Sequence, residues 1–316
     1  MTLKINYLDN QKGLFKNTAL FLANDTKISE FKGIFEDKIN QKILNYLKKN
    51  KNSKNNKIDS INIDFDQKII LTFLSGKNNA QASEELGAKF YDYVKKNEIQ
   101  NTLIIGSNFS STKNKIFLNQ FLHGAQLKSY EFNLYKTKKQ KKEIIFNILK
   151  RKNQVNPKDK YKLDAILNGV NFTKDLVSEP GNVLHPDEYA KRLVKLKKFG
   201  LKVTVYDEKK LTKLGCNALL GVGQGSIRGS YLVTMEWKGN KSKSKPLAFV
   251  GKGVCFDTGG ISLKPARFME DMTYDMAGSA VVVGLMKNFA LRKAKINAVG
   301  VVGLVENMPG GNAQRP

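Results

Sequence analysis

The stretch that decides the fold reads Gly251-Lys-Gly-Val-Cys-Phe-Asp257-Thr-Gly-Gly-Ile-Ser-Leu-Lys264-Pro265, and Met269-Glu-Asp-Met-Thr-Tyr-Asp275-Met-Ala-Gly278 follows it. Apolar, strand-forming residues surround Lys252, and Asp257 comes where that strand breaks into glycines. Because an unpaired buried charge is very costly, we expect Lys252 to be paired, coordinated or hydrogen-bonded in a core environment. Ligands of α/β proteins lie at the carboxyl ends of strands, so Asp257 is predicted to face one.

Residue type alone leaves two interpretations of Lys252, Asp257 and Asp275 open. They could form a buried ion-pair network, or they could hold a metal. Carboxylates suit hard or borderline divalent ions, and an unprotonated lysine nitrogen can also coordinate. The residues by themselves favour neither interpretation over the other.

The pattern Gly-Lys-Gly-Val-x-Phe-Asp-Thr-Gly-Gly-x-Ser-x-Lys-Pro, followed by Met-x-x-Met-x-x-Asp-Met-x-Gly, resembles the leucyl (cytosol) aminopeptidase family. The resemblance extends from about residue 160 to residue 316. Further matching motifs occur in the family's order: Asp175-Leu-Val-Ser-Glu-Pro-Gly-Asn182, Leu219-Leu-Gly-Val-Gly-Gln-Gly-Ser226 and Glu306-Asn-Met-Pro-Gly-Gly-Asn-Ala313.

The resemblance implies a two-metal exopeptidase that removes N-terminal residues, preferably leucine, from peptides. It assigns two divalent ions, Mn²⁺ or Zn²⁺, to a site in which Asp257 bridges both and Lys252 and Asp275 complete one shell. It makes Lys264 the catalytic lysine that polarises the scissile carbonyl. It places Met272 against the substrate's first side chain. It also implies a homo-hexamer in full-length members, with a bicarbonate acting as base.

The family's later segment Asn-Thr-Asp-Ala-Glu-Gly-Arg does not occur in this sequence. In the family it supplies the remaining carboxylate ligands and an arginine that positions the bicarbonate. Two carboxylates and one amine cannot satisfy two divalent ions of four to six ligands each. We therefore expect a C-terminally truncated catalytic domain, and little or no peptidase activity from these 316 residues alone.

The predicted fold class is α/β with two domains. Residues 1–155 are predicted to form a small α/β (macro-like) domain, because strand and helix patterns alternate there. Residues 156–316 are predicted to form the first half of an aminopeptidase catalytic domain with a mixed central sheet. Among the predicted elements are a helix over residues 28–49, a strand over residues 131–135 and a strand over residues 246–256.

The composition indicates the cellular environment of the protein. No run approaches 18 apolar residues and the N-terminus lacks a signal-peptide core, so neither a membrane span nor secretion is expected. Cys216 and Cys255 are the only cysteines, and both are interpreted as reduced, buried thiols of a cytoplasmic protein. Neither has the spacing of a zinc-thiolate site.

The net charge of +26 comes mostly from lysine, and no arginine precedes Arg151. A basic chain binds nucleic acid non-specifically at low salt. The alternative to the enzyme is therefore a non-enzymatic, basic DNA-binding protein derived from the same family.

Three other features carry no catalytic prediction. His123 stands alone on an apolar helix and is predicted to pack, while His185, between two helix breaks, is predicted to be solvated or to cap a helix. The run from Gly221 to Ser226 lacks the spacing of a phosphate-binding loop and is predicted to be a tight turn. No serine or cysteine nucleophile motif accompanies either histidine.

Overall fold

The computed structural model describes residues 3–9, 15–22, 35–49, 57–65, 67–73, 79–105, 117–137, 143–149, 155–241 and 245–315. The chain divides into two compact units, Met1–Leu163 and Asp164–Pro316. The domain boundary predicted after residue 155 precedes this division, and helix α4 (Pro157–Ser178) runs across it. None of the helices in the described ranges has the length and apolar character needed to cross a bilayer.

The first unit is built on a mostly parallel sheet in the strand order β1-β6-β5-β2-β4-β3. Only the pairing of β3 with β4 is antiparallel among its described strand pairs. Parallel neighbours need crossover connections, which explains the alternation of strands and helices in the sequence. The described elements are β1 (Leu3–Leu8), β2 (Asn17–Leu22), α1 (Asp37–Lys49), β3 (Ile58–Asn62), β4 (Lys68–Phe73), α2 (Ala80–Lys96), β5 (Asn101–Ile105), α3 (Phe117–Lys128) and β6 (Ile144–Leu149).

Side-chain alternation divides the first unit's core between the two faces of the sheet. On β2, Ala19 and Phe21 join one hydrophobic cluster while Leu20 and Leu22 join another. Because successive residues of a strand point to opposite faces, both faces of this sheet are covered. His123 is buried on α3, in agreement with a packing role.

The second unit holds a mixed sheet in the order β7-β8-β10-β9. Strand β10 runs parallel to β9 and antiparallel to β8, and β8 is antiparallel to β7. After α4, its described elements are α5 (Pro186–Val194), a 3-10 helix (Lys195–Phe199), β7 (Lys202–Tyr206), α6 (Glu208–Lys213), α7 (Asn217–Gly223), β8 (Tyr231–Lys238), β9 (Leu247–Asp257), a 3-10 helix (Met269–Tyr274), α8 (Ala277–Leu291) and β10 (Asn297–Asn307).

Helix α8 packs unusually close to β9 because Gly251 carries no side chain. A Cβ on Gly251 would lie 2.6 Å from the Cα of Ser279 on α8. Such a distance is far inside van der Waals contact, so this glycine is required for the approach. The contact fixes the N-terminal end of α8 against the middle of β9.

Three predicted elements differ from the structure. The segment predicted as a strand over residues 131–135 is a turn, because Glu131 pairs with Lys95 at the end of α2 and also accepts a hydrogen bond from Asn133. The described part of the helix predicted over residues 28–49 begins only at Asp37, and its residues 28–34 lie outside the described ranges. Helix α7 occupies the first part of the segment predicted as a glycine turn.

Strand β3 was not predicted. Its sequence, Ile58–Asn62, is polar at three of five positions without alternation, and it directly follows a low-complexity run of lysine and asparagine. It forms because its backbone pairs with the strongly apolar β4 at the edge of the sheet. Such pairing depends on a tertiary neighbour and leaves little trace in the local sequence.

Candidate functional site

The candidate site lies where β9 ends at Asp257. A tight loop follows, in which Gly259 and Gly260 adopt φ values of +90° and +70° that favour glycine. The Lys264 amide donates to the Thr258 carbonyl at 2.8 Å and closes this loop. The loop thereby returns the Lys264 side chain to the end of the strand that carries Asp257.

The Asp257 carboxylate accepts three hydrogen bonds. Lys264 Nζ lies 2.7 Å from Oδ2, while Oδ1 accepts from Asn307 Nδ2 at 2.7 Å and from the Gly259 amide at 2.9 Å. Burial alone would raise the pKa of Asp257, but these hydrogen bonds and the charge of Lys264 outweigh it and lower the pKa overall. Asp257 is therefore held as a carboxylate.

A second ion pair joins the strand to the neighbouring 3-10 helix. Lys252 Nζ donates to Asp275 Oδ1 at 2.7 Å. Asp275 follows the 3-10 helix Met269–Tyr274 and caps its C-terminal end. Its other oxygen, Oδ2, is buried without a hydrogen-bond partner among the described residues. A buried carboxylate oxygen that lacks a donor is a suitable ligand for a cation.

A β-bulge brings Lys252 and Asp257 to the same face of the sheet. Between the pairs Val305↔Val254 and Asn307↔Asp257, β9 advances by one residue more than β10. Asp257 lies five positions after Lys252, and strict alternation would put the two residues on opposite faces. The extra residue corrects this alternation, and accordingly Cys255 and Phe256 are both buried although adjacent.

The expectation of a core environment for Lys252 was wrong. Its side chain is 58% exposed, and it lies on β9, an edge strand of the described sheet. The apolar residues around it suggested burial because a strand buried on both faces has the same composition. The pairing that we predicted for Lys252 is nevertheless present.

Met272 contacts the lysine of the site. Its Sδ lies 3.0 Å from Lys264 Nζ, the same ammonium that pairs with Asp257. The site thus brings together Lys264, Asp257 and Met272. The pair of Lys252 and Asp275 is close to them in sequence, because Lys252 lies five positions before Asp257 and Asp275 lies three positions after Met272.

Sequence reasoning missed two residues at the end of β10. Asn307 contacts Asp257, and Glu306 is buried and accepts hydrogen bonds from Ser226 Oγ and Arg315 Nε, both at 2.8 Å. Both residues open the motif Glu306–Ala313, which matched the family in sequence but led to no predicted role for these two residues. Their signal was available, since polar residues that end a buried strand next to Asp257 are expected to meet it at one edge of the sheet.

His185 has the capping role that was one of its predicted alternatives. It is the N-cap of α5, where its Nδ1 faces the Glu188 amide at 3.4 Å and Asp187 Oδ2 at 3.1 Å. Asp187 also accepts from Tyr231 Oη at 2.7 Å. The histidine therefore belongs to a structural network that links α5 to β8.

The donor set fits divalent metal only in part. Oxygens of Asp257 and Asp275 suit Mn²⁺ or Zn²⁺, and the unpartnered Oδ2 of Asp275 offers an open ligand position. Within the described ranges, however, no group of three or more His, Cys, Asp or Glu side chains could hold a metal ion. The residues present would supply one portion of a metal-binding shell.

Comparison with known proteins finds a matching family model and similar curated proteins. A model described as "Cytosol aminopeptidase family, catalytic domain" matches residues 171–316. A probable cytosol aminopeptidase of Phytoplasma australiense is 54% identical over 198 residues, which cover 62% of this chain and 40% of the relative. Another, from Caulobacter vibrioides, is 46% identical over 248 residues, covering 77% of this chain and 49% of the relative.

The chain therefore spans about half the length, or less, of these two curated relatives. Among solved structures, the bottromycin maturation enzyme BotP in complex with Mn is similar, with a TM-score of 0.71 and 22% identity over 95% of this chain and 61% of that one. At this identity the likeness establishes the shared α/β fold.

Proposed function

We propose that the site serves a metal-dependent aminopeptidase that hydrolyses N-terminal residues, preferably leucine, from peptides, because residues 171–316 match the catalytic domain of the cytosol aminopeptidase family. The observation that carries the proposal is the contact of Lys264 with Asp257 at 2.7 Å, next to the paired Lys252 and Asp275. This arrangement presents an ammonium donor and two carboxylates at one strand end.

Lys252, Asp257 and Asp275 would contribute ligands to two divalent ions, Mn²⁺ or Zn²⁺. Asp257 would help to hold both. When bound, such ions supply Lewis-acid polarisation of the peptide carbonyl and an activated water. Lys252 would coordinate as the neutral amine, which requires release of its proton and of its present pairing with Asp275.

Lys264 would act on the substrate directly. Its ammonium lies between a carboxylate oxygen and the Met272 sulfur, and it would give up one of these contacts to donate to the scissile carbonyl. As water adds to the carbonyl carbon, negative charge collects on that oxygen, and Lys264 stabilises it. The carbon–nitrogen bond then breaks and the departing amine takes up a proton.

Met272 would line the pocket for the side chain of the substrate's first residue. Its flexible thioether suits an apolar group such as the leucine side chain. The contact between Met272 and Lys264 supports this placement, because the first side chain and the scissile carbonyl are close together in any peptide substrate.

The finer features of the proposal come from the family resemblance. They are a homo-hexameric assembly, a bicarbonate acting as base, and a cytoplasmic location. The location is supported by Cys216 and Cys255, which are both free thiols in the structure. Burial raises the pKa of the Cys255 thiol well above its usual range, which keeps it protonated and unreactive.

The experiment that tests the function uses a chimera that joins this chain to the remaining C-terminal part of the Phytoplasma australiense relative. We expect the chimera with Mn²⁺ to release leucine from Leu-p-nitroanilide, and the 316-residue chain alone to release little. A folded chimera without metal-dependent release would contradict the proposal.

In the same chimera, Lys264→Met should lower kcat by about 10²- to 10³-fold, because it removes one donor to the developing oxyanion. Lys209→Met, on α6, serves as the matched control and should leave kcat unchanged. Equal kcat values for the two variants would remove Lys264 from the catalytic role.

A further inference from the structure

The side chain of Asn307 links the last residue of β10 to the candidate metal-binding carboxylate. Its Nδ2 donates to Asp257 Oδ1 at 2.7 Å, and the two residues are register partners across the parallel pair β10 and β9. The contact is therefore fixed by sheet pairing, and not by a flexible loop.

The donors around Asp257 are divided unequally between its two oxygens. Oδ1 accepts from both Asn307 Nδ2 and the Gly259 amide, while Oδ2 accepts from Lys264. Two N–H donors on one oxygen oppose rotation of the carboxylate about its Cβ–Cγ bond. Because Oδ1 is occupied in this way, Oδ2 is the oxygen with capacity for a cation.

Asn307 is itself held firmly by its own backbone. Its carbonyl accepts from the Thr258 amide at 2.9 Å and from Thr258 Oγ1 at 2.8 Å. On the other side of the amide, a Cβ at Gly260 would lie 2.7 Å from Asn307 Oδ1. The glycine thus makes room for the asparagine, and the side chain has little freedom to turn away from Asp257.

We propose that Asn307 is a positioning residue, which fixes the Asp257 carboxylate so that Oδ2 alone faces the cation of the site. A positioning partner of this kind orients a ligand before any ion arrives. The orienting role concerns the polypeptide itself, whereas its consequence for metal affinity rests on the proposed function.

A double-mutant cycle on the 316-residue chain without metal tests the orienting role. Asn307→Leu keeps the approximate shape of the side chain and removes its hydrogen-bond donor. Asp257→Asn removes the negative charge of the carboxylate that accepts from this donor. Unfolding in urea is followed by fluorescence of Trp237, the single tryptophan, which lies on β8 in the second unit. We expect the two changes to be non-additive by about tenfold in the unfolding equilibrium constant.

The matched control is Asn297→Leu, at the opposite end of the same strand. Asn297 Oδ1 accepts from the Asn240 amide at 3.1 Å, and Asn297 lies ten positions before Asn307, at the end of β10 that is remote from Asp257. Its change should add to Asp257→Asn without coupling. If Asn307→Leu is equally additive, the residue only supports the turn and the positioning role is wrong. Asn307→Ala supplies a second cycle should leucine disturb the packing.

Metal affinity provides the second readout. If the folded wild-type chain binds Mn²⁺ in calorimetric titration, Asn307→Leu should weaken binding by about 10- to 100-fold, and Asn297→Leu should not. Unchanged affinity in Asn307→Leu would overturn the proposal. Because the residues present supply only one portion of a metal-binding shell, absence of Mn²⁺ binding by the wild-type chain would not contradict the proposed function, and the cycle would then decide the role of Asn307.

Discussion

At the scale of single residues, the site depends on how each charge is partnered. Asp257 keeps its negative charge because its hydrogen bonds from Lys264, Asn307 and Gly259 outweigh the cost of burial. Lys252 and Asp275 neutralise each other at 2.7 Å, yet Asp275 retains one buried oxygen without a partner in the described structure. The two lysines thus balance the carboxylate charges, in positions that a divalent cation could take over, and the carboxylates are not fully exposed to water.

The same scale shows what the sequence could predict of the site. Residue type identified Lys252, Asp257 and Asp275 as a group, since charges among glycines and apolar residues require partners, and the family resemblance added Lys264. Which lysine pairs with which aspartate could not be predicted, because it depends on the bulge in β9 and on the closed loop after Asp257. Asn307 was missed for the same reason, since its contact arises only from strand register.

The network of Asp187 and Tyr231 gives a prediction for pH dependence. Burial and the hydrogen bond to Asp187 raise the pKa of Tyr231 from 10.0 to about 12. A group whose pKa is raised in the folded state contributes stability below its unfolded pKa and loses it as pH rises through the folded value. Stability of the second unit should therefore fall between about pH 10 and pH 12.

Tyr231→Phe should reduce this loss of stability at alkaline pH. The free energy of unfolding is measured at each pH by urea unfolding followed by Trp237 fluorescence. Tyr274→Phe, in the exposed 3-10 helix, is the control and should keep the wild-type dependence of stability on alkaline pH.

For Asp187, burial acts to raise the pKa, but hydrogen bonds from Tyr231 and Gly229 and the charge of His185 lower it overall. Its contribution is present above the unfolded pKa and lost as pH falls below it, so Asp187→Asn should reduce this loss of stability at acid pH. An unchanged pH dependence in both Tyr231→Phe and Asp187→Asn would contradict the network.

At the scale of elements, β9 and α8 determine the site together. The sequence predicted both elements well, since a glycine-flanked apolar run and a 15-residue apolar segment leave few alternatives. Their contact was less predictable, because a glycine in the sequence is equally compatible with a turn, a bulge or a close packing contact. Only the structure shows that Gly251 faces the backbone of Ser279.

Gly251→Ala tests this packing. The new Cβ would lie 2.6 Å from Ser279 Cα, so α8 must move, and we expect the second unit to lose about 1–3 kcal/mol of unfolding free energy. Gly221→Ala on α7 is the matched control: no atom lies within 4 Å of its new Cβ, so the change should be neutral or stabilising. Equal stability of the two variants in urea unfolding would show that β9 and α8 are not in this contact.

At the scale of the whole molecule, the charge of +26 and the match of residues 171–316 to the cytosol aminopeptidase family model point to different partners. The alternative of a DNA-binding protein rests on lysine content alone, and the relatives described above are named as aminopeptidases. Clustered lysine attracts any polyanion through counterion release, which salt reverses.

We therefore predict that duplex DNA binds this chain at low salt and dissociates between about 50 and 200 mM NaCl, without sequence preference. Fluorescence anisotropy with two unrelated duplexes measures both properties. Retained binding at physiological salt with a preference for one duplex would favour a selected nucleic-acid function over charge alone.

We propose that Asp257 and Asp275 are metal ligands in an aminopeptidase site. The most direct test is anomalous diffraction at the zinc edge from crystals of the chimera grown with Zn²⁺. We expect anomalous peaks at about 2.0–2.2 Å from carboxylate oxygens of both Asp257 and Asp275, with Asp257 binding through Oδ2. Crystals of a chimera that releases leucine, yet show no anomalous density within bonding distance of Asp257, would contradict it.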